Sequence, residues 1–415
     1  MSVLLQSPSR STDEGSAVND TSRVGFRMKR FEAIEGLRGW LAWTVAISHI
    51  FITSGIYLGR IGSPILFSGH AAVLVFVVIS GFVISHLLVE RQETYSSYIL
   101  RRFFRIFPLF AVTCFIGYFA TDLYVPILSR VPWYDDPVWQ IVIANNVGAS
   151  STNHEYFWSN ILTHATMLHG IVPNSVIPYG TLAFNMPAWS LSLEWQFYLL
   201  APFVLRFVNR ASASAILGLS VVVFLLGIGY QLGWLGWYMD PTSVVLAVAG
   251  YFALGICSRI ALPYLTRREV DCSPVAALAI MFLPLGWQAV PVLIWILVLC
   301  GLVQGKKTGS EALKRLFGVL LSSRLAIYFG ERSYSIYLSH LPIVTSVHVF
   351  WFHRFPSMGR AQTLALVAAT SIPAIILASE ILYRSIEKPG IRLGSLIVKR
   401  LRADQSKPVE ALSPL

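Results

Sequence analysis

Charged residues are scarce in this chain of 415 residues. They make up 13% of it, whereas 55% of the residues are hydrophobic and the mean hydropathy is +0.62. A soluble protein carries about 25% charged residues. This scarcity excludes an ordinary soluble domain and predicts an all-α, polytopic integral membrane protein.

Acidic residues are fewer than basic ones, with 21 Asp and Glu against 32 Lys and Arg, a net charge of +11. Such an excess could indicate a nucleic-acid partner. The Lys and Arg residues, however, fall in short loops between apolar segments, which is typical of membrane topology. We therefore expect no nucleic acid and a chain embedded in a lipid bilayer.

Cysteine is also rare. The four cysteines have no CxxC or metal-ligand spacing and lie in or beside apolar segments. They are expected to be reduced thiols that pack as small hydrophobic residues, with no metal site. About thirty polar residues precede the first apolar run, so no cleavable signal peptide is expected.

The apolar runs predict about ten transmembrane helices. Their approximate ranges are 34–57, 65–89, 105–124, 187–208, 211–231, 241–262, 273–287, 288–304, 325–350 and 362–385. The two segments within 273–304 are short and barely separated, so they fit either two spans or one re-entrant pair. With the N-terminus inside, most Lys and Arg residues fall on the cytoplasmic side, which favours cytoplasmic termini and an even number of spans.

Four segments follow from this pattern. Residues 1–30 are predicted to be a flexible cytoplasmic tail, 31–390 a transmembrane domain, and 391–415 a basic cytoplasmic tail. The segment 125–186 is the long external loop, and its residues from about 156 to 168 have the apolar spacing of an interfacial helix. Its many aromatic residues fit a membrane-interface belt or a stacking surface for sugar rings.

The most informative stretch joins Arg38 to His49 on the first helix. The two residues are eleven positions apart, which is three turns plus about 20°, so they share one face and lie about 16 Å apart. Ionisable groups at membrane depth are costly and commonly functional. The alternative is an arginine that reaches the headgroups and a histidine that bonds a neighbouring helix.

Arg102 and Arg105 form a second motif, on the cytoplasmic side of the third helix. They are three positions apart and share a face. Paired guanidinium groups bind phosphates well. A basic cluster next to a membrane is, alternatively, a topology or lipid-headgroup signal.

Two further helices carry polar stripes. Ser190, Glu194 and Tyr198 recur every four residues in the fourth helix, and a glutamate inside a membrane needs a partner. Tyr337 and His340 are three apart in the ninth helix. Glu194 could equally bond another helix, and His340 could be a second catalytic group or a core histidine.

Together these stretches resemble the membrane-bound acyltransferase family 3, of the O-antigen and exopolysaccharide O-acetylase type. Arg38 and His49 match its arginine, ten residues, then histidine pattern, and Arg102 and Arg105 match its Arg-x-x-Arg motif. The stretch from Trp189 to Tyr198 matches WSL-x-x-E-x-x-FY. The runs 73–85, 333–340 and 387–389 also fit. The resemblance covers about residues 31–390 and is to the branch without a fused SGNH domain.

The resemblance implies transfer of an acyl group, usually acetyl, from cytoplasmic acyl-CoA to a hydroxyl of an extracytoplasmic glycan. O-antigen, exopolysaccharide and lipo-oligosaccharide acceptors all fit. Acyl-CoA would be a co-substrate, and no permanently bound cofactor is implied. The location would be a bacterial inner membrane.

The resemblance also assigns roles to the motif residues. The catalytic group would comprise His49 as general base, Arg38 and Glu194. Arg102, Arg105 and Arg38 would bind the CoA phosphates. The residues expected to contact substrate are Ser190, Trp189, Tyr198, Tyr337 and His340.

A transporter or flippase for a glycan or small metabolite is the alternative function. Several helices with intramembrane charges suit transport as well. We find no repeat between the two halves of the sequence, and transport would not consume acyl-CoA. A weaker alternative is a regulatory protein that has lost catalysis.

Overall fold

The computed structural model describes residues 17–57, 69–91, 93–210, 243–267, 290–303 and 318–405, with isolated positions between 218 and 226. Every regular element in these ranges is helical. The α-helices, numbered in chain order, are α1 Ala17–Thr53, α2 Gly69–Glu90, α3 Tyr95–Tyr124, α4 Pro137–Glu155, α5 Phe157–Ala165, α6 Trp189–Arg210, α7 Ala249–Arg267, α8 Val290–Val303, α9 Arg324–Glu331, α10 Ser333–Arg354, α11 Arg360–Leu382 and α12 Lys388–Gln405.

Four helical stretches of the described ranges are long and apolar enough to cross a membrane: Gly69–Glu90, Tyr95–Ile127, Val245–Thr266 and Arg360–Ala403. Val290–Val303 is a shorter apolar helix. These findings confirm an all-α integral membrane protein. Helices α1, α6 and α10 are not among the four stretches, because their ionisable or polar groups lower their hydropathy. The predicted segments 211–231 and 273–287 lie almost wholly outside the described residues.

Several helix boundaries differ from the expected ones. Helix α1 begins at Ala17, within the segment expected to be a flexible tail, because extending an existing helix adds one hydrogen bond for each residue fixed. Helix α12 continues to Gln405, through much of the expected basic tail. It packs along α3, where Gly390 and Gly394 lie against Phe104.

The predicted helix 325–350 is divided at Arg332, which separates α9 from α10. The Arg332 side chain bonds Glu380 of α11, and its guanidinium carbon lies 3.7 Å from the Tyr328 ring centroid. These contacts hold the arginine outside a regular helical turn. A pattern of apolar spacing does not reveal a break of this kind, because the partner comes from another helix.

The segment 125–186, which was expected to be an external loop, contains two α-helices. Helix α5 lies within the stretch expected to be helical, whereas α4 was not expected. Its start has a clear signal, since Asp136 accepts a hydrogen bond from Val138 N at 2.9 Å and Pro137 occupies the first turn.

Helix α2 lies at the centre of the bundle, packed against α1, α6, α7 and α8. Its contact with α7 depends on glycine. A Cβ atom on Gly255 would lie 2.1 Å from Val78 O, and one on Gly81 would lie 2.3 Å from Phe252 O. The two backbones therefore approach as closely as small residues allow, which is a common way to join helices in membranes.

Gly255→Ala should destabilise the bundle by about 1–3 kcal/mol, because the added methyl group forces two backbones apart. Gly250→Ala, in the same helix, is the matched control, since a Cβ there would meet no atom of the described residues within 4 Å. Thermal unfolding in detergent measures both. Equal unfolding temperatures for the two variants would show that α2 and α7 are not held at this distance.

Two histidines, His164 and His169, are buried in the segment 125–186. The rings of His164 and His169 stack with their centroids 4.0 Å apart, and both rings also stack on Phe110 of α3. Burial lowers the pKa of His164 to about 4 and lowers that of His169 well below its usual value. Both are therefore neutral in the folded protein at neutral pH.

Acid should destabilise the folded protein through this pair. Below about pH 6.5 the unfolded chain binds protons that the folded histidines exclude, so stability falls by about 1.4 kcal/mol per pH unit for each histidine until its folded pKa is reached. His164→Phe keeps an aromatic ring and should reduce this slope between pH 6.5 and 4. Unfolding temperatures across this range test it, with exposed His353→Phe as control; an unchanged slope in His164→Phe would contradict the expectation.

Candidate functional site

A cavity of about 460 Å³ lies among α1, α2, α3, α6, α10 and α12. Its basic lining residues are Arg38, Arg91, Arg101, Arg102 and Arg105. Its acidic and hydroxyl-bearing lining residues include Glu35, Ser80, Ser190, Glu194, Tyr198, Tyr334 and Tyr337. Apolar residues of α2 form one wall. A buried space with several cations is suited to an anionic ligand.

Arg102 has no carboxylate in direct contact among the described residues, although Glu194 interacts with it electrostatically. Its Nε atom is buried and has no hydrogen-bond partner among the described residues. Its guanidinium carbon lies 6.0 Å from the Tyr98 ring centroid and 5.8 Å from that of Tyr198. The neighbouring Arg101, in contrast, pairs with Glu93 at 3.1 Å.

Arg38 pairs with a residue of its own helix. Its Nη1 atom donates to both carboxylate oxygens of Glu35, at 3.1 and 3.2 Å. Glu387, buried in the π-helical segment Tyr383–Glu387, interacts electrostatically with Arg38 and Arg105 and accepts a hydrogen bond from Ser335. Acidic groups thus offset part of the positive charge without covering Arg102.

The polar stripe of α6 divides into two parts. The Glu194 carboxylate accepts hydrogen bonds from Tyr198 OH and, at 3.2 Å, from Ser80 Oγ. The hydroxyls of Ser190 and Tyr337 lie 2.7 Å apart, and Tyr337 OH donates to Pro187 O at 2.9 Å. Glu194 therefore connects α6 to α2, and Ser190 connects α6 to α10.

His49 and His340 lie side by side, with ring centroids 5.1 Å apart, and neither lines the cavity. His340 Nδ1 is 2.6 Å from Tyr337 O, so this nitrogen carries the proton and Nε2 carries the lone pair. His340 Nε2 is buried and has no hydrogen-bond partner in the described part of the chain. The pair lies next to Tyr337, whose ring centroid is 5.9 Å from that of His340.

Trp189 lies beyond the cavity, stacked on His70 of α2 with ring centroids 5.9 Å apart and planes at 14°. A Cβ atom on the adjacent Gly69 would lie 2.5 Å from Ser48 Oγ, immediately before His49. Trp189 and the histidine pair are therefore at the same end of the bundle, away from the arginines.

The structure thus brings most of the expected residues to one place. Arg38, Arg102, Arg105, Ser190, Glu194, Tyr198 and Tyr337 line the cavity, whereas His49, His340 and Trp189 lie past its Tyr337 end. Glu194, expected in the catalytic group with His49, bonds Ser80 and Tyr198 instead of either histidine. The arrangement suits a long molecule with an anionic head among the arginines and a reactive tip near Tyr337.

Sequence reasoning gave no site role to several lining residues. Arg91 and Arg101 belong to the same basic cluster as Arg102, although only Arg38, Arg102 and Arg105 were expected to bind phosphate. Ile391 and Ser395 lie in the expected basic tail. No local pattern marks these two residues, because only the packing of α12 against α3 brings them to the cavity.

Comparisons with known proteins give a consistent picture. The model of the acyltransferase domain family Acyl_transf_3 matches residues 31–383. "Acyltransferase MdmB" of Streptomyces mycarofaciens is 25% identical, over 88% of this chain and 93% of that protein. "Putative membrane-bound transacylase BcsY" of Komagataeibacter xylinus is 24% identical, over 85% of this chain and 83% of its own length.

"O-acetyltransferase OatA" of Staphylococcus aureus is 25% identical, over 82% of this chain. The alignment covers 55% of the Staphylococcus protein, so this chain spans about half of its length. No solved structure shows a significant match.

The arginine end of the cavity should bind simple polyphosphate anions. Pyrophosphate should raise the unfolding temperature of the detergent-purified protein, because it would bond Arg102, whose Nε has no partner among the described residues. Arg102→Gln should weaken pyrophosphate binding by roughly tenfold to a hundredfold. Arg206→Gln, at an exposed position of α6, is the control, and an equal loss in both variants would place the anion elsewhere.

Proposed function

Because the chain belongs to the membrane-bound acyltransferase 3 family, we propose that it transfers an acyl group, in the simplest case acetyl, from cytoplasmic acyl-CoA to a hydroxyl of an extracytoplasmic glycan. The observation that supports this most directly is the cavity, with its arginines at one end and Ser190 and Tyr337 at the other. The relatives come from bacteria, so the membrane would be a bacterial plasma membrane.

The donor would lie along the cavity. Arg102 and Arg105, with Arg38 beside them, would bind the phosphates of acyl-CoA, which is a co-substrate rather than a resident cofactor. The apolar wall of α2, which includes Phe76 and Val77, would contact the neutral arm of the donor. The thioester would then reach Tyr337, next to the histidine pair.

His49 would act as the general base. A neutral imidazole is suited to accept a proton from the acceptor hydroxyl near neutral pH. The hydroxyl oxygen then attacks the thioester carbonyl carbon, and the carbon–sulfur bond breaks as the tetrahedral intermediate collapses. The proton held by the imidazolium passes to the departing thiolate, so the products are an ester and free CoA.

His340 would support this step from the side. Its Nδ1 proton is held by Tyr337 O, which fixes the ring at 5.1 Å from that of His49. The hydroxyls of Ser190 and Tyr337 stand at the same end of the cavity and are the nearest candidates to stabilise the oxyanion. Trp189, together with Tyr198 further down α6, would contact substrate.

Glu194 would act on the donor side. Its carboxylate is bonded to Tyr198, whose ring lies by Arg102. Glu194 thus contributes negative charge near the arginines. It also fixes the position of Tyr198, whose ring lies near Arg102. The acceptor class that fits is a hydroxyl-rich glycan of the cell surface, such as O-antigen, exopolysaccharide or lipo-oligosaccharide.

His49→Ala should abolish most acyl transfer, by about 10²–10⁴-fold, without weakening acetyl-CoA binding, because a general base contributes about this much. CoA release from acetyl-CoA in the presence of a glycan panel measures transfer, and a thermal shift with acetyl-CoA measures binding. His353→Ala, at the exposed end of α10, should behave as the parent protein.

His340→Ala separates the two histidines. A supporting role predicts a smaller loss of transfer than in His49→Ala. If folded His49→Ala protein keeps full transfer and His340→Ala loses it, His340 would be the general base. Folded protein that does not bind acetyl-CoA at all would remove the basis for a CoA-dependent reaction.

A further inference from the structure

A second concave surface lies on the segment 125–186 and shares no described lining residue with the arginine cavity. It is a groove of about 450 Å³ between α4 and the chain at Pro178 and Tyr179, just before the short helix Gly180–Leu182. Its lining includes Gln140, Ser151 and Glu155 of α4 and the aromatic residues Tyr156 and Tyr179. This volume lies within the usual range for a small-molecule site.

Tyr179 is held in an unusual conformation at this groove. Its backbone has φ 55° and ψ 17°, in the left-handed region that an aromatic residue seldom adopts. The residue is 37% exposed, so burial does not account for the conformation. Strained residues of this kind concentrate at binding and catalytic sites.

Gly148 is what allows the Tyr179 ring to lie against α4. A Cβ atom at position 148 would be 2.5 Å from the ring, so any other residue there would displace it. A glycine in the middle of a helix is itself unfavourable. Two unfavourable backbone features, the positive φ of Tyr179 and the mid-helix Gly148, therefore place one aromatic ring at the edge of the groove.

The chemistry of the lining fits carbohydrate. Tyrosine rings offer flat apolar faces for the C–H faces of sugars. Gln140, Ser151 and Glu155 offer an amide, a hydroxyl and a carboxylate that can exchange their present contacts for sugar hydroxyls; Ser151 Oγ, for example, donates to Glu155 at 2.7 Å. Glu155 is the only charged residue among the described lining residues, which disfavours an anionic ligand.

The groove is connected to the reaction centre by a short stretch of chain. Tyr179 leads through Gly180–Leu182 to Asn185, whose Nδ2 donates to Leu338 O of α10 at 3.1 Å. Two residues later, Pro187 O accepts the hydrogen bond from Tyr337. The same segment thus forms one side of the groove and contacts the histidine-bearing helix.

We propose that this groove is a carbohydrate-binding subsite, which holds sugar units of the acceptor chain that are not themselves acylated. The inference rests on the proposed function for the identity of the chain as acceptor. The ligand class is a neutral oligosaccharide, stacked on Tyr179 and hydrogen-bonded to the polar residues of α4. A ligand of several units would therefore bind more tightly than a single sugar.

Direct binding tests this without any acyl donor. Detergent-purified protein is titrated with neutral cello-oligosaccharides and chito-oligosaccharides of one to six units, and saturation-transfer NMR reports contact and affinity. Affinity should rise with length in at least one series. Tyr179→Gly should weaken binding by about three- to tenfold, as expected for loss of one aromatic contact, and Tyr179→Phe should keep it.

The glycine variant separates binding from folding, because glycine adopts φ 55° without strain and should not lower the unfolding temperature through the backbone. Gly148→Ala should weaken binding as well, since it displaces the ring. Gly250→Ala should not, because its methyl group would meet no atom within 4 Å in the described part of the chain. Parental affinity in both Tyr179→Gly and Gly148→Ala would overturn the proposal, as would absence of binding to every oligosaccharide.

Failure of the subsite and failure of the proposed function are distinguishable in the same preparation. Oligosaccharide binding that depends on Tyr179 and persists in His49→Ala supports the subsite. If oligosaccharide binding does not depend on Tyr179 but acetyl-CoA binding and His49-dependent transfer are intact, the subsite is wrong and the acyltransferase function is retained. Tyr179-dependent binding in protein that neither binds nor consumes acetyl-CoA would support a carbohydrate site and reject the acyl transfer on which its role was based.

Discussion

The positive charge held inside an apolar bundle is the constraint on which the rest of the site depends. An arginine removed from water is costly unless it is paired. Glu35 and Glu93 pair directly with their arginines. Arg102 has no carboxylate in direct contact among the described residues; it lies near two tyrosine rings and interacts with Glu194 at longer range. The apo site is therefore incomplete in electrostatic terms, and an anionic ligand would supply the missing charge. Stability and ligand binding are opposed at this position, as is common at functional sites.

Tyr337 joins the two ends of this system. Its hydroxyl connects α10 to the start of α6, and its carbonyl oxygen fixes the ring orientation of His340. A displacement of α10 would therefore alter the cavity wall and the histidine pair together. The break at Arg332 begins α10 as a separate helix, and the contact of Arg332 with Glu380 of α11 fixes that start. Helix position, rather than loop chemistry, thus sets the geometry of the site.

Sequence periodicity predicted the parts of this structure that one helix determines by itself. The apolar runs located α2, α3 and α11, and the four-residue spacing placed Ser190, Glu194 and Tyr198 on one stripe, as observed at the cavity. Sequence periodicity could not predict the parts that depend on contacts with other helices. A shared face for Arg38 and His49 does not reveal that Tyr337, from α10, stands between the cavity and the histidine pair. Helix α4 was missed because its polar residues conceal a helix that Asp136 and Pro137 begin.

The position of Glu194 indicates whether it would act on the donor side, with the arginines, or on the acceptor side, with the histidines. A carboxylate beside the base would raise the basicity of His49 and bind the acceptor side. Glu194 instead bonds Ser80 and Tyr198 and shares the cavity with Arg102. It therefore belongs with the arginines, where its charge limits the repulsion among them when no anion is bound. The neighbours of the histidine pair are instead the Tyr337 ring and the Tyr337 carbonyl oxygen, so the carboxylate and the imidazoles serve different ends of the cavity.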